Sequence, residues 1–416
     1  MKIFKFMIVA LVAMLGFTAC EKDCDHDFSD VEHSADLVGT WTCLEAGYAE
    51  ALVIKADGSV LSTGVEDGEY WENVAGNIVV KNGIATMTFE DGDNFEGHID
   101  VIAGMAFSIY NEDGERMTYN YCANDLADEV VGMWVCNDYS TGVENDMVIQ
   151  TFKEDGTVTK TGWSAASNEF IVNETITYKV VGDLVFHQRP SEMVAEGAAA
   201  HFASKLTYMP NANQLGDMLT NTSIKVINGE AVELSASMLR VKQSLDLAGK
   251  GYYYNYVFVS NVDGVDQDID FMGHTFNFAK MNGSELNKLL NSLLFNVEFP
   301  DANTIQYIYM YNNAKEVLEA PIAVDGNKLT VKMSANEPAL KDVVFYAFQD
   351  ANNSQLHFYM HRDAFVNFHT NMQAKLMEAT NEQFDINNAE AVNAIYNEIN
   401  NAVETINVSL VFKARK

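Results

Sequence analysis

The stretch Leu37-Val38-Gly39-Thr40-Trp41-Thr42-Cys43 is repeated, with small changes, as Val130-Val131-Gly132-Met133-Trp134-Val135-Cys136. Each copy is a β-prone segment and is followed by an Asp-Gly pair between apolar residues, at Asp57-Gly58 and at Asp155-Gly156. Glycine adopts positive φ without penalty, so each Asp-Gly pair predicts a tight β-hairpin. The repeated order predicts two related β units.

A third pair of similar segments lies at the end of the two units: Arg116-Met117-Thr118-Tyr119 aligns with Lys205-Leu206-Thr207-Tyr208. Three matching segments in the same order predict a tandem duplication, with units at residues 36–122 and 129–209. Each unit contains short apolar runs punctuated by Gly, Asp and Asn, with little helical period. This pattern predicts a small antiparallel barrel or sandwich in each unit.

The Gly-x-Trp opening strand and the basic residue in the closing strand resemble the lipocalin-like domains of bacterial lipoproteins. In that superfamily the tryptophan plugs one end of the barrel, and a basic side chain from the last strand covers it. The resemblance implies that Arg116 covers Trp41 and that Lys205 covers Trp134. The units are much shorter than a full lipocalin, and a small barrel can fill its interior with its own side chains. Both tryptophans are therefore interpreted as core plugs rather than as ligand platforms.

The pattern changes beyond about Leu215, where strand-like runs alternate with helical segments. Helices are predicted at Ser284–Leu290, Asp363–Thr380 and Asn388–Glu404, and a last strand at Ile406–Phe412. The predicted fold class is mainly β: two tandem small antiparallel lipocalin-like barrels, then a larger α+β, calycin-like C-terminal domain with late helices. The predicted segments are a signal peptide at 1–19, an acidic tether at 20–34, barrels at 35–125 and 126–213, and the C-terminal domain at 214–416.

The amino terminus has the features of a secretory signal. A basic start, Met1–Lys5, precedes an apolar run, Phe6–Phe17, that is too short to span a membrane. The small residues before Cys20 resemble a bacterial lipoprotein signal, which implies cleavage before Cys20 and lipid on that residue. Glu21-Lys22-Asp23 resembles the export signal of Bacteroidetes surface lipoproteins. The resemblance implies a lipid-anchored outer-membrane protein at the cell surface; the alternative is an ordinary cleaved signal with a fortuitous cysteine.

The chain is strongly acidic, with a formal net charge of −33. Removal of residues 1–19 takes away Lys2 and Lys5 and makes the net charge −35. Such a charge repels nucleic acid and anionic headgroups, so membrane association is expected only through acyl chains. The acidic residues are spread along the chain, which favours a solvated surface over divalent-cation bridging.

The cysteines leave two interpretations open. Cys43 lies in the opening strand of the first unit and Cys122 ends its closing strand, and these strands are neighbours in a closed barrel. A disulfide between Cys43 and Cys122 is therefore consistent with an oxidising compartment. Cys136, the counterpart of Cys43, has no such partner, so buried free thiols are equally consistent.

Two residue sets are candidate sites in the C-terminal domain. Tyr307, Tyr309 and Tyr311 share one face of a strand, where they could stack on a glycan or lipid; the alternative is that they are ordinary strand residues. His357 and His361 also lie on a predicted strand, roughly 13 Å apart by strand rise. That distance argues against a shared metal, so both histidines are expected to face solvent.

No sequence motif of a common hydrolase, nucleotide-binding protein or zinc protease is present. The predicted function is therefore non-covalent binding of a small apolar or glycan ligand, or of a partner, at the cell envelope. The alternative is a spacer or interaction protein with solid barrels, and an envelope hydrolase is the third choice. No metal, cofactor or nucleic acid is expected, and the oligomeric state is left open.

Overall fold

The computed structural model describes residues 37–415 apart from 103, 111–115, 138–146, 165–166, 168, 195–198, 213–215, 272–273, 282, 312 and 382. The predicted signal peptide, Cys20 and the tether lie outside these residues. The described chain is mainly β and forms three closed antiparallel barrels of eight strands each. The predicted fold class, of tandem small barrels followed by a region with late helices, is confirmed.

The first barrel is an up-and-down meander in which each strand pairs with the next and β1 pairs with β8. Gly39 has φ +142°, and a Cβ there would come within 2.7 Å of the Tyr121 ring, which explains the glycine before the tryptophan. Its strands are β1 (Gly39–Glu45), β2 (Tyr48–Ile54), β3 (Ser59–Glu66), β4 (Glu69–Lys81), β5 (Ile84–Phe89), β6 (Asn94–Ile102), β7 (Ala106–Tyr110) and β8 (Arg116–Cys122).

The second barrel follows a short helix, α1 (Ala127–Val130), and also has eight strands. It runs to Val241, so the predicted boundary at 213 is wrong: two strands that complete the barrel were assigned to the C-terminal domain. The strands are β9 (Gly132–Asn137), β10 (Met147–Phe152), β11 (Thr157–Ser164), β12 (Glu169–Val181), β13 (Leu184–Gln188), β14 (His201–Met209), β15 (Met218–Ile227) and β16 (Glu230–Val241).

The two Asp-Gly turns have the same geometry in the first and second barrels. Gly58 and Gly156 have φ of +81° and +78°. Asp57 Oδ1 accepts the Ser59 hydroxyl at 2.7 Å, and Asp155 Oδ1 accepts the Thr157 hydroxyl at 2.6 Å. The local sequence therefore fixes the same hairpin twice.

The third barrel carries two insertions. One is a hairpin, β18 (Asp268–Phe271) and β19 (His274–Asn277), followed by α2 (Gly283–Ser292). The other is α3 (Arg362–Thr380) and α4 (Ala389–Ala402), close to the predicted late helices. The barrel strands are β17 (Lys250–Gly264), β20 (Asn296–Asp301), β21 (Thr304–Tyr311), β22 (Ala314–Asp325), β23 (Lys328–Val331), β24 (Val343–Gln349), β25 (Gln355–Met360) and β26 (Val403–Ala414).

The chain divides into two compact units. The first comprises the described parts of Met1–Gly132, with Ile149–Tyr208 and Leu219–Met238. Inside it, the outer face of β2 and β3 packs on the outer face of β13 through Ala49, Ala51, Val65, Leu184 and Phe186. The second comprises Met133–Val148, Met209–Met218 and Leu239–Lys416. Its core is aromatic: Phe368 of α3 contacts the rings of Phe295, Tyr307 and Phe345.

Candidate functional site

Trp41 is enclosed in the first barrel and 1% exposed. Its Nε1 donates to the Leu37 carbonyl oxygen at 2.6 Å, and its ring meets the edge of Tyr121, the residue opposite it on β8. Arg116 lies at the other end of β8, over the Tyr110 ring at 5.8 Å. The expected pairing of Trp41 with Arg116 is therefore wrong.

Trp134 is fully buried, and a cation does lie over its ring. That cation is Arg240 of β16, with Cζ 4.8 Å from the ring centroid. Lys205 lies on β14, two strands before the last, and pairs with Asp183 at 3.2 Å. The expected pairing of Trp134 with Lys205 is wrong because the second barrel closes later in the sequence than predicted.

Cys43 and Cys122 are free thiols, so the disulfide interpretation is wrong. Thr40 pairs with Cys122 across β1 and β8, and side chains alternate along a strand. Cys122 therefore points to the opposite face from Cys43, which is buried inside the barrel. Burial raises the pKa of Cys43 well above its usual value and that of Cys122 to about 11.

Tyr307 and Tyr309 are buried in the core of the third barrel, 3% and 8% exposed, and do not form a ligand-facing surface. The side chain of Tyr311 lies outside the described residues. Tyr307 Oη has no hydrogen-bond partner among the described residues, and it borders a recess with room for about one water. The recess is too small for a glycan.

His357 is buried rather than solvent-facing, because β25 is covered on both faces. Its Nε2 lies 3.0 Å from Gln355 Oε1, and burial lowers its pKa to about 4. His369 of α3 is also buried, and burial lowers its pKa to about 3. Both histidines are neutral at pH 7.

The interior of the second barrel holds a group of polar residues that sequence inspection missed. Leu184 and Phe186 face outward, so Val185 and His187 of β13 point inward. His187 pairs with Phe202 of β14, and the inward side of β12 places Glu174 opposite Lys160 of β11. We define the mouth cluster as Lys160, Glu174, His187, Arg189 and Phe202.

The mouth cluster is organised around one carboxylate and one aromatic ring. Arg189 Nε donates to Glu174 Oε1 at 3.0 Å, and Lys160 Nζ lies 3.3 Å from Glu174 Oε2. The Arg189 guanidinium is 4.3 Å from the Phe202 ring centroid, and His187 stacks on the same ring at 4.8 Å. These contacts preorganise the cations by ion pairing and by cation–π attraction.

The charged side chains of the cluster are open to solvent, whereas His187 is not. Lys160, Glu174 and Arg189 side chains are 26%, 21% and 31% exposed, but His187 is 3% exposed. Burial first, and then the nearby Lys160 and Arg189 charges, lower the pKa of His187 to about 3. The cluster therefore combines charge at its entrance with a neutral imidazole behind it.

Three buried polar atoms in this interior have no hydrogen-bond partner among the described residues: Gln150 Oε1, His187 Nδ1 and Ser204 Oγ. A buried polar atom without a partner costs about 1–3 kcal/mol. The signal in the sequence was the basic and polar residues at alternate positions of β11 and β13, where a solid barrel would carry apolar ones.

The first barrel also contains a buried polar group, but its bonds are complete. Glu50 is 7% exposed and accepts the Tyr48 hydroxyl at 2.6 Å and the Ser62 hydroxyl at 2.6 Å, and also the Tyr119 hydroxyl. Burial and the Glu50 charge raise the pKa of Tyr48 and Tyr119 well above the usual value. This network is self-contained and offers no open site.

Two features are absent from the described part of the chain. It holds no group of three or more His, Cys, Asp or Glu side chains placed to bind a metal ion. None of its helices has both the length and the apolar character needed to cross a bilayer.

No family model and no curated protein matches the chain. Among solved structures, it is similar to a double mutant of the vaccine antigen transferrin binding protein B from Haemophilus parasuis Hp5, with 9% identity and a TM-score of 0.24. That match covers 89% of this chain and 66% of the other, so the chain spans less than two thirds of it. A porin-like protein from Bacteroides uniformis ATCC 8492 is 10% identical with a TM-score of 0.13, and the match covers 48% of this chain and 94% of the porin-like chain. Neither likeness bears on function.

Proposed function

We propose that this protein is a lipid-anchored binding protein of the cell envelope that holds a small molecule non-covalently at the mouth cluster of the second barrel. One observation carries the proposal: Gln150, His187 and Ser204 have buried polar atoms without partners among the described residues, beside a partly exposed pair of cations. A ligand that enters there gains hydrogen bonds that the protein alone leaves unmade.

The anchor is the second part of the proposal. The Thr18-Ala19-Cys20 segment supports lipid on Cys20, and the Glu21-Lys22-Asp23 segment supports export to the cell surface of a Bacteroidetes-type outer membrane. With a net charge of −35 after removal of residues 1–19, the protein needs acyl chains to associate with an anionic membrane. Metabolic labelling with an acyl analogue tests this: Cys20→Ala should abolish the label, and a labelled Cys20→Ala protein would refute the anchor.

A spacer function is the second candidate, because the other two interiors are filled. Trp41, Phe107 and Tyr119 occupy the first barrel, and Phe295, Phe345 and Phe358 occupy the third. Under this alternative the barrels hold the chain away from the membrane and bind no small molecule. The two candidates differ in what the second barrel contains when the protein leaves the cell.

Native mass spectrometry separates the two. The chain from residue 20 onward, with Cys20→Ala, is exported from the host under a cleavable secretory signal and its intact mass is recorded. The binding function predicts a retained small molecule that is absent from the variant Lys160→Ser, Glu174→Val, His187→Met, Arg189→Phe. A bare polypeptide mass in the wild type, or the same adduct in the variant, would favour the spacer.

A further inference from the structure

The chemistry of the mouth cluster restricts the class of molecule that fits it. We infer that the ligand is an organic anion whose charged group replaces the Glu174 carboxylate between Lys160 and Arg189, with its apolar part beside Phe202. This inference rests on the proposed binding function and gives it a ligand class.

Glu174 itself shows the binding geometry for an anion. Its two oxygens are divided between two cations, Oε1 on Arg189 and Oε2 on Lys160. A carboxylate, sulfonate or phosphate group presents the same pair of oxygens, and an arginine is well suited to hold them. The site is thus already shaped around an anion, and Glu174 acts as an internal competitor for that place.

The local charge favours an anion although the whole chain is acidic. The cluster holds two cations and one carboxylate, with His187 neutral beside them. At physiological ionic strength, exposed charges are largely screened beyond roughly 8 Å, so the nearest groups dominate. Displacement of Glu174 leaves both cations to the ligand and returns a partly exposed carboxylate to water.

The remaining residues of the site are complementary to a molecule that has both apolar and polar parts. Phe202 is partly buried next to Lys160 and Arg189 and provides the apolar part of the site. Gln150, His187 and Ser204 then provide polar atoms that have no partners among the described residues. A simple inorganic anion would satisfy the cations but would leave these groups unchanged.

Two fluorescent probes with the same aromatic body test the anion requirement: 1-anilinonaphthalene-8-sulfonate and its uncharged analogue N-phenyl-1-naphthylamine. Equilibrium titrations use the mature chain with Cys20→Ala. We expect saturable binding of the sulfonate at one site, weakened about tenfold or more by Lys160→Gln or Arg189→Gln. Glu174→Gln should instead tighten it severalfold, because the competitor is removed. The uncharged analogue should change little in all three variants.

Lys153→Gln and Glu154→Gln are matched controls, because both residues are exposed in a turn of the same barrel. They make the same charge changes outside the cluster and should leave both affinities unaltered. Circular dichroism melts identify any variant that fails to fold; if Arg189→Gln does so, Lys160→Gln and Glu174→Gln still decide the question.

The outcomes separate the ligand class from the binding function. Equal, variant-insensitive binding of both probes, or weaker sulfonate binding in Glu174→Gln, would overturn the anion inference and leave the binding function standing. No sulfonate binding to the wild type would also overturn the inference. In that case the retained-ligand measurement above still decides independently whether the barrel binds a small molecule.

Discussion

Corresponding inward-facing positions carry different residues in the first and second barrels. Ser62 pairs with Val74 across β3 and β4, as Lys160 pairs with Glu174 across β11 and β12. A register shift follows Ser62 in one barrel and Lys160 in the other, which supports the correspondence. An apolar partner in the first barrel has thus become half of an ion pair in the second.

The same holds on the neighbouring strands. In the first barrel Met87 pairs with Phe95, and at the corresponding place in the second barrel His187 pairs with Phe202. Polar groups in the first barrel are gathered instead around Glu50, where each hydroxyl has a partner. The comparison shows that the same barrel fold can carry buried polar groups in two ways. If their hydrogen bonds are completed within the protein, the interior has no open site; if not, polar atoms remain that a ligand could bond.

The largest expected difference is between the two glutamates. Glu50→Ala should destabilise the first barrel by about 3–5 kcal/mol, because Tyr48, Tyr119 and Ser62 lose their buried acceptor. Glu174→Ala should cost about 0–1 kcal/mol, because its ion pairs are partly exposed. Hydrogen–deuterium exchange of peptides from each barrel measures both effects in the full chain.

Glu50→Gln is the control, since it keeps an acceptor in place and should cost less than Glu50→Ala. Equal destabilisation by Glu50→Ala and Glu174→Ala would contradict the proposed difference between the first barrel, whose buried hydrogen bonds are complete, and the second, whose interior polar atoms lack partners among the described residues.

A smaller effect is expected on acidification. Burial lowers the pKa of His187 to about 3 in the folded protein, whereas the unfolded value is 6.5. Between these values the unfolded chain binds more protons, so stability falls as pH falls, by at most about 1.4 kcal/mol per pH unit. His187→Met, the first-barrel residue at this place, should remove this contribution from urea unfolding curves recorded between pH 7 and pH 4. His98→Gln, at an exposed position of the first barrel, is the control and should leave the pH dependence of stability unchanged. If His187→Met also left this pH dependence unchanged, His187 would not be buried in its neutral form.

The smallest effect concerns the corresponding thiols, Cys43 and Cys136, which are buried in the two barrels. Both should resist a thiol reagent until the chain unfolds, while Cys122 reacts slowly because burial raises its pKa to about 11. Reductant should leave the melting temperature unchanged. Peptide mapping identifies the labelled residues, and a reductant-sensitive link between Cys43 and Cys122 would contradict the structure.

The sequence located the repeated opening strands correctly but misplaced the end of the second unit. Arg116-Met117-Thr118-Tyr119 lies in the eighth strand of its barrel, and Lys205-Leu206-Thr207-Tyr208 in the sixth strand of the next. Short strand segments resemble one another wherever one face is apolar, so a four-residue match does not determine strand order. The correct covering cation, Arg240, lies beyond the assigned boundary.

The third barrel was recognised as β-rich but not as a further closed barrel, because its plug residue is missing. Leu247-Ala248-Gly249-Lys250-Gly251 follows the pattern of Leu37-Val38-Gly39-Thr40-Trp41, with glycine in place of tryptophan. A Cβ on Gly251 would lie 3.6 Å from the Arg415 side chain, so an arginine from the end of the chain lies beside this position. The long insertions between strands further hid the repeat.

The sequence by itself determined the strands, the Asp-Gly hairpins and the late helices, because these depend on φ preferences and on side-chain alternation over a few residues. Only the tertiary structure decided which strand closes each barrel and which side chains share an interior. Lys160, Glu174, His187 and Arg189 are distributed over three successive parts of the chain, and they meet because the register of β11, β12 and β13 turns them to one side. Register across a closed barrel is a long-range property, and no local segment encodes it.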